Sequence, residues 1–149
     1  MNSKKRVLLI LLAVFILIQF FQPTRNVSAK TSTADISKIY QVPEKVMAIF
    51  QSSCYDCHSN STKYPWYSAI QPFGWFMASH IREGKSELNF DEFGDYSPRR
   101  QKSKLKSIGE SIEDNSMPLT SYTLIHRSAK LSPEEKNSIY KWLVSLPIH

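Results

Sequence analysis

The sequence predicts an all-α domain, and three observations support this fold class. Apolar residues recur at helical spacing in several segments, beginning just after Pro43. Helix-start signals, each a capping serine followed by proline, stand at Ser97-Pro98 and Ser132-Pro133. The one segment with alternating apolar residues, 88–93, has no clear partner strand and is expected to be a loop or a short helix. A chain of 149 residues has room for one such domain and a terminal segment.

Residues 1–23 are predicted to be a signal peptide or a membrane anchor. Lys4-Lys5-Arg6 precedes an almost wholly apolar run from Val7 to Phe21, which only Gln19 interrupts. The run is at the upper length limit of a signal-peptide h-region and is shorter than the roughly 20 residues that cross a bilayer. The basic residues are expected to stay in the cytoplasm, so the rest of the chain should lie outside it.

Two fates of this segment remain open. Val27-Ser28-Ala29 resembles a cleavage site, and cleavage after Ala29 would release the domain into the periplasm. Alternatively, Phe20-Phe21 and Arg25 hold the uncleaved segment as an interfacial anchor that tethers the domain to the cytoplasmic membrane. We favour the anchor, because Ala29 lies well beyond the end of the apolar run.

The polar segment 24–40 is expected to be a linker, and residues 41–149 the folded domain. A helix should open at Pro43, with Glu44 in its first turn, and lead directly into Cys54. The apolar residues that recur along this helix are Val46, Ile49 and Phe50.

Further helices are expected at 73–83, with Gly84 as the C-cap, after Ser97-Pro98, and at 122–126. The apolar stripe of the helix after Ser97 is Leu105, Ile108 and Ile112. Its basic residues are expected to form a solvated face, or a docking patch for an acidic redox partner: Arg99, Arg100, Lys102, Lys104 and Lys106. A last helix should start at the capping box 132–135, with a stripe of Ile139, Leu143 and Leu146 and with Trp142 beside it.

The only two cysteines, Cys54 and Cys57, stand two residues apart, and His58 follows at once. This C-x-x-C-H spacing is the signature of c-type haem attachment. Each thiol can add to one vinyl group of a haem, and the imidazole of His58 can ligate the iron. Since two intervening residues let one helical turn present both sulfur atoms to one porphyrin edge, the sequence predicts one covalent haem c.

Other chemistries could use the same residues. A redox dithiol of the thioredoxin type should accompany a βαβ pattern, which the sequence lacks. A zinc site would need a fourth ligand beyond Cys54, Cys57 and His58, and His80 or His126 could supply it. A structural disulfide between the cysteines is the remaining alternative.

The sixth iron ligand has three candidates. Met117 precedes Pro118 in a polar loop between helices, and His/Met ligation would raise the potential and suit electron transfer. His80 would give bis-histidine iron with a lower potential. His126 is the third candidate and is better explained as a polar residue near the pocket mouth. We favour Met117, because a methionine in a polar loop is not typical of a core.

The most aromatic part of the sequence comprises Tyr64-Pro65-Trp66-Tyr67 and Pro72–Met77. These residues are expected to be ordinary core or the wall of a haem pocket, since a flat apolar porphyrin needs aromatic and aliphatic cover. In a domain this small the two interpretations overlap.

The order of the attachment motif, Met117-Pro118 and the helix start at Leu131–Glu135 resembles that of class I cytochromes c. The chain is more similar to the bacterial haem-binding domain family of membrane-anchored, single-haem proteins. The stretches that carry this resemblance are Cys54–His58, Tyr64–Tyr67, His80-Ile81-x-x-Gly84, Leu88-Asn89-Phe90 and Met117-Pro118-x-x-x-Tyr122. The resemblance covers about residues 35–147 and implies a covalently bound haem c.

The expected function is one-electron transfer to an unidentified redox partner protein, with His58 and Met117 as axial ligands. If no side chain fills the sixth position, the protein would instead be a haem-based sensor or a peroxidase-like enzyme. The formal charge is +6, and Lys4, Lys5 and Arg6 account for half of it. The folded part is therefore only mildly basic, and no nucleic-acid partner is expected.

Overall fold

The computed structural model describes residues 2–28 and 32–147, and this part of the chain is helical without any β-strand. The all-α prediction is thereby confirmed. The α-helices are α1 (Ser3–Ile18), α2 (Ile36–Ile39), α3 (Glu44–Ser53), α4 (Tyr55–His58), α5 (Phe73–Glu87), α6 (Pro98–Glu113), α7 (Thr120–Ile125) and α8 (Pro133–Ser145). Short 3₁₀ helices lie at Trp66–Ala69, Phe90–Asp95 and Arg127–Ala129.

The N-terminal helix α1 is apolar, and none of its residues is buried by the rest of the protein. It has 16 residues and ends at Ile18, three residues before the apolar run ends at Phe21. Among the described helices, none combines the length and the apolar character needed to cross a membrane. Ala29, after which cleavage is predicted, lies outside the described residues.

The segment expected to be a linker packs on the domain where it is described. Ile36, in α2, is fully buried. The Nδ2 atom of Asn26 donates to the carbonyl oxygen of Ser59 at 2.8 Å and to Oγ1 of Thr62 at 2.9 Å. Composition alone missed these contacts, because polar side chains here bond to the domain rather than to water.

The core lies where α3, α6 and α8 meet. The ring of Phe50 stacks on Phe90 at 5.1 Å and meets Trp142 edge-on at 5.6 Å. The buried apolar residues of the core are Ile36, Val46, Ile49, Phe50, Phe90, Phe93, Leu105, Ile108, Ile112, Leu131, Ile139 and Trp142. The apolar residues predicted for α3 and α6 are all among them.

The predicted helix starts are confirmed by their caps. Ser97 Oγ accepts from the amide of Arg100, and Pro98 occupies the first turn of α6. Ser132 accepts from the amide of Glu135, whose carboxylate accepts the Ser132 amide in return, which completes the capping box of α8. These caps satisfy amides that the first turn of a helix leaves without partners.

The predicted end of α5 is wrong, because the helix continues through Gly84 to Glu87. A Cβ atom at Gly84 would lie 2.8 Å from the carbonyl oxygen of Cys57 and 3.3 Å from its Cβ. Gly84 therefore serves close packing of α5 against the attachment motif, and not a left-handed C-cap.

Candidate functional site

The attachment motif forms one helical turn at the end of α3. The amides of Cys57 and His58 both donate to the carbonyl oxygen of Cys54, at 3.1 and 3.0 Å. Tyr55 and Asp56 bond to two different segments of the chain. The Tyr55 hydroxyl donates to Asp35 at 2.8 Å, and Asp56 accepts from the Tyr122 hydroxyl at 2.6 Å. Both residues between the cysteines thus hold the turn in place through hydrogen bonds to other segments.

His58 is oriented as a metal ligand needs to be. Its Nδ1 atom lies 3.0 Å from the carbonyl oxygen of Leu88, and a carbonyl only accepts, so Nδ1 carries the proton. That tautomer leaves the lone pair on Nε2 for a metal. Burial lowers the pKa of His58, which favours the neutral imidazole that can ligate.

The segment after α5 supplies a rigid support for that carbonyl group. Asn89 is 2% exposed, its Nδ2 donates to Asn60 Oδ1 at 2.9 Å, and its Oδ1 accepts from the Asp91 amide at 3.1 Å. Phe90 stacks on Tyr55 at 5.0 Å. The resemblance pointed to this segment, and the structure gives it a role, because it fixes the carbonyl group that orients His58.

A cavity of about 250 Å³ opens beside the motif, and three predicted site residues line it: Cys54, His58 and Met117. The other lining residues are Ser53, Glu87, Leu88, Phe90, Lys104, Ser107, Ile108, Ser111, Ile112, Pro118 and Leu131. The walls are mainly apolar and come from α3, α6 and the loops at 88–90 and 117–118. Cys57 lies outside this lining, against Gly84.

Met117 reaches the cavity through a tight turn after α6. Asn115 has φ of 61°, a left-handed conformation that asparagine tolerates better than most residues. The Ser116 amide donates to Asp114 Oδ1 at 2.8 Å, and the Met117 amide donates to the Ser111 carbonyl oxygen at 3.1 Å. The turn folds the chain back along α6 and leaves Met117 38% exposed at the cavity edge.

Both cysteines are free thiols. Burial raises the pKa of Cys54 to about 12 and the pKa of Cys57 to about 11. Both groups are therefore protonated at neutral pH and are poor nucleophiles for disulfide exchange.

His80 and His126 lie away from the cavity. His80 Nδ1 is 2.9 Å from the Phe76 carbonyl oxygen, one turn earlier in α5. His126 Nε2 is 2.6 Å from the Tyr67 hydroxyl, and its ring stacks on Tyr122 at 4.3 Å. Over residues 2–28 and 32–147, no group of three or more His, Cys, Asp and Glu side chains could hold a metal ion. The zinc interpretation therefore lacks its fourth ligand in this part of the chain.

The solvated face predicted for the basic residues of α6 holds for Arg99, Arg100, Lys102 and Lys106, which are exposed, but Lys104 is only partly exposed. Its side chain is 21% exposed, lines the cavity and lies 3.3 Å from a carboxylate oxygen of Glu87. Ser107 and Ser111 line the cavity from the same side of α6. The sequence could have identified these two serines as cavity-lining residues. They stand three and seven residues after Lys104, and this spacing places them on one face of α6 beside Ile108.

The aromatic stretch does not line the cavity, and much of it is not core. Trp66 is 80% exposed, and Phe73 and Phe76 are each 59% exposed. These residues therefore form neither the core nor the walls of the cavity beside the motif. The cavity walls come from aliphatic residues of α6 and from Phe90 instead.

Comparison with known families decides the identity. The haem-binding domain family model matches residues 13–145. The chain belongs to the haem-binding domain family. The donor side chains at the cavity suit haem, because an imidazole with a free Nε2, a thiol and a thioether are side chains that hold haem in proteins. No curated protein and no solved structure matches this haem-binding domain at a significant level.

Proposed function

We propose that this haem-binding domain carries a covalent haem c and transfers single electrons at the outer face of the cytoplasmic membrane. The observation that carries the proposal is the shared cavity of Cys54, His58 and Met117. Met117 is far from the other two in sequence, and a thiol, an imidazole and a thioether at one apolar cavity form the donor set of a His/Met cytochrome c.

Each residue has a separate task in this proposal. His58 presents Nε2 as the proximal ligand while its Nδ1 proton is bound to the Leu88 carbonyl oxygen. Cys54 and Cys57 supply the thiols for thioether formation, and Met117 supplies the sixth ligand. Ile108 and Ile112 exclude water. When bound, the haem supplies the one-electron chemistry of its iron.

The apolar surroundings and the thioether act in the same direction on the potential. A low dielectric disfavours the additional positive charge of ferric iron, and a methionine ligand raises the potential relative to a second histidine. A carrier of this type suits a partner of moderately high potential. His80 does not line the cavity and has no such role in this proposal.

The membrane location rests on α1. Lys4-Lys5-Arg6 at its start favours a cytoplasmic N-terminus, and the apolar run that follows favours insertion into the bilayer. The Gln19 side chain after α1 bonds to Gln71 of the domain, which supports an uncleaved anchor over removal after Ala29. Protease added from outside the membrane should reach the domain.

The absorption spectrum of the purified ferrous protein, with and without carbon monoxide, tests the proposal. A six-coordinate, low-spin haem that takes up carbon monoxide slowly supports electron transfer. A high-spin haem that binds carbon monoxide at once contradicts it and favours a haem-based sensor or a peroxidase-like enzyme. A protein without covalent haem after maturation in a haem-ligating host contradicts both.

A further inference from the structure

One exposed stretch of the domain is aromatic and contains no charged side chain. No charged residue stands between Lys63 and Arg82. The exposed fractions of Trp66, Phe73 and Phe76 exceed one half, and that of Trp75 is 40%. We call these four residues the aromatic face. Single exposed apolar side chains are common on soluble domains, but several large aromatic side chains together mark an interaction surface.

The aromatic face belongs to two elements that are held together tightly. A Cβ atom at Gly74 would lie 2.5 Å from the carbonyl oxygen of Ser68, so only glycine lets α5 approach the turn at 66–69 this closely. The Ser68 hydroxyl donates to the Pro65 carbonyl oxygen at 2.6 Å. The turn that carries Trp66 is therefore held close to the first turn of α5, which carries Phe73 and Phe76.

The same surface receives the end of α1. The indole Nε1 of Trp75 donates to the carbonyl oxygen of Phe21 at 2.7 Å. Gln71 donates its amide to Gln19 Oε1 at 2.8 Å and its Nε2 to Gln22 Oε1 at 2.9 Å. Gln71 itself is fully buried. The point where the apolar segment ends is thus attached directly to the aromatic face.

We propose that the aromatic face lies in the headgroup region of a phospholipid bilayer, beside the end of the membrane-inserted α1. Tryptophan is enriched at membrane–water interfaces, where its apolar ring and its N–H group meet both phases. Phe20 and Phe21 are 79% and 69% exposed at the same junction and extend the apolar surface. The proposal rests on the membrane attachment proposed above and is independent of the haem.

The observations favour lipid over a second protein. The face is continuous with an apolar helix that no described part of the protein covers. That helix is short for a bilayer span, so an adjoining interfacial surface adds the apolar contact that the helix alone lacks. A docking site for a soluble protein would be expected to include charged side chains, and the stretch from Tyr64 to Ile81 contributes none. Arg25, whose guanidinium lies 4.9 Å from the Tyr64 ring centroid, is a cation that lipid phosphate groups attract.

Tryptophan fluorescence in the full-length haem-loaded protein tests this proposal. The protein is reconstituted into phosphatidylcholine vesicles whose acyl chains are either unmodified or brominated near the headgroup. The chain has three tryptophans, and Trp142 is 4% exposed in the core. We expect bromination to remove most of the emission of Trp66 and Trp75. The double variant Trp66→Phe/Trp75→Phe reports Trp142 alone, and its emission should be equal in both vesicles.

Flotation of the vesicles distinguishes a failure of membrane attachment through α1 from a failure of lipid contact at the aromatic face. One outcome is that the chain floats with the vesicles while bromination lowers the tryptophan emission of the wild type no more than that of the double variant. In that case the aromatic face does not contact lipid, and this inference is overturned. Cross-linking of the floated chain to a second copy would then assign the face to protein. If the chain does not float, membrane attachment itself fails. An unchanged haem spectrum in the double variant confirms that it is folded.

Discussion

The Nδ1 atom of His58 and the carbonyl oxygen of Leu88 lie 3.0 Å apart, although 30 residues separate them in the chain. This hydrogen bond selects the tautomer of His58 that leaves the Nε2 lone pair free. Because the acceptor is a backbone atom, its position depends on the fold of the segment that contains it. The attachment motif and the segment after α5 therefore form one functional unit.

The first prediction concerns covalent attachment. Replacing both Cys54 and Cys57 by Ala removes both thioether bonds, so haem should no longer remain with the polypeptide on a denaturing gel. The wild type should retain it, since a thioether survives denaturation. The single variants should keep one bond each and a reduced haem stain. Extraction of haem from the wild type into acidic organic solvent would disprove covalent attachment.

The second prediction concerns the sixth ligand. Met117→Ala should open a coordination site, so the spectrum should become high-spin, carbon monoxide should bind readily and the potential should fall. The matched control is His80→Ala, which should leave the spectrum low-spin because His80 does not line the cavity. If Met117→Ala stays low-spin and His80→Ala does not, the ligand is His80 and the carrier is a low-potential bis-histidine protein.

The third prediction concerns the contact between α5 and the motif. Gly84→Ala would place a Cβ atom 2.8 Å from the Cys57 carbonyl oxygen, which is backbone and cannot move aside alone. We expect a loss of about 1–3 kcal/mol in the free energy of unfolding, measured with denaturant on the haem-loaded protein.

Gly109→Ala is the matched control, because Gly109 is also inside a helix and its nearest neighbour would be 3.5 Å away, at Leu143. That variant should gain roughly 0.5–1 kcal/mol from helix propensity. Equal effects at Gly84 and Gly109 would show that the contact with Cys57 is not restrictive.

The fourth prediction concerns the support of the Leu88 carbonyl group. Asn89→Ala removes two side-chain hydrogen bonds from a residue that is 2% exposed and leaves their partners, Asn60 and Asp91, unsatisfied. The free energy of unfolding should fall by about 1–3 kcal/mol. The potential should also shift, because the orientation of His58 depends on this segment.

Asn137→Ala, at an exposed position of α8, serves as its control and should change neither quantity measurably. A variant Asn89→Ala with an unaltered potential would mean that the Leu88 carbonyl group keeps its position without the asparagine.

Local signals determined the parts of the fold that depend on near neighbours. The serine caps of α6 and α8 and the apolar stripe of α6 act within a few residues, so the sequence predicted them correctly. The attachment motif is local as well, since two intervening residues suffice to bring both sulfur atoms onto one helical turn. Haem binding, which family membership now supports, could therefore be predicted from the sequence.

Contacts between distant segments decided the features that the sequence did not predict. The local sequence predicts that the helix ends at Gly84. Only the close contact with Cys57 explains why a glycine stands inside α5. The sequence predicts Lys104 to be a surface charge, and only the packing of α6 against the motif shows that it lines the cavity. The sequence likewise allows the aromatic residues to be core, and only the fold shows that they are exposed. Burial depends on which surfaces meet in three dimensions, and spacing along one chain segment does not specify that. The sequence by itself predicted the helices and His58 as an iron ligand, whereas only the tertiary structure placed Met117 at the same cavity as His58, because that contact joins distant segments.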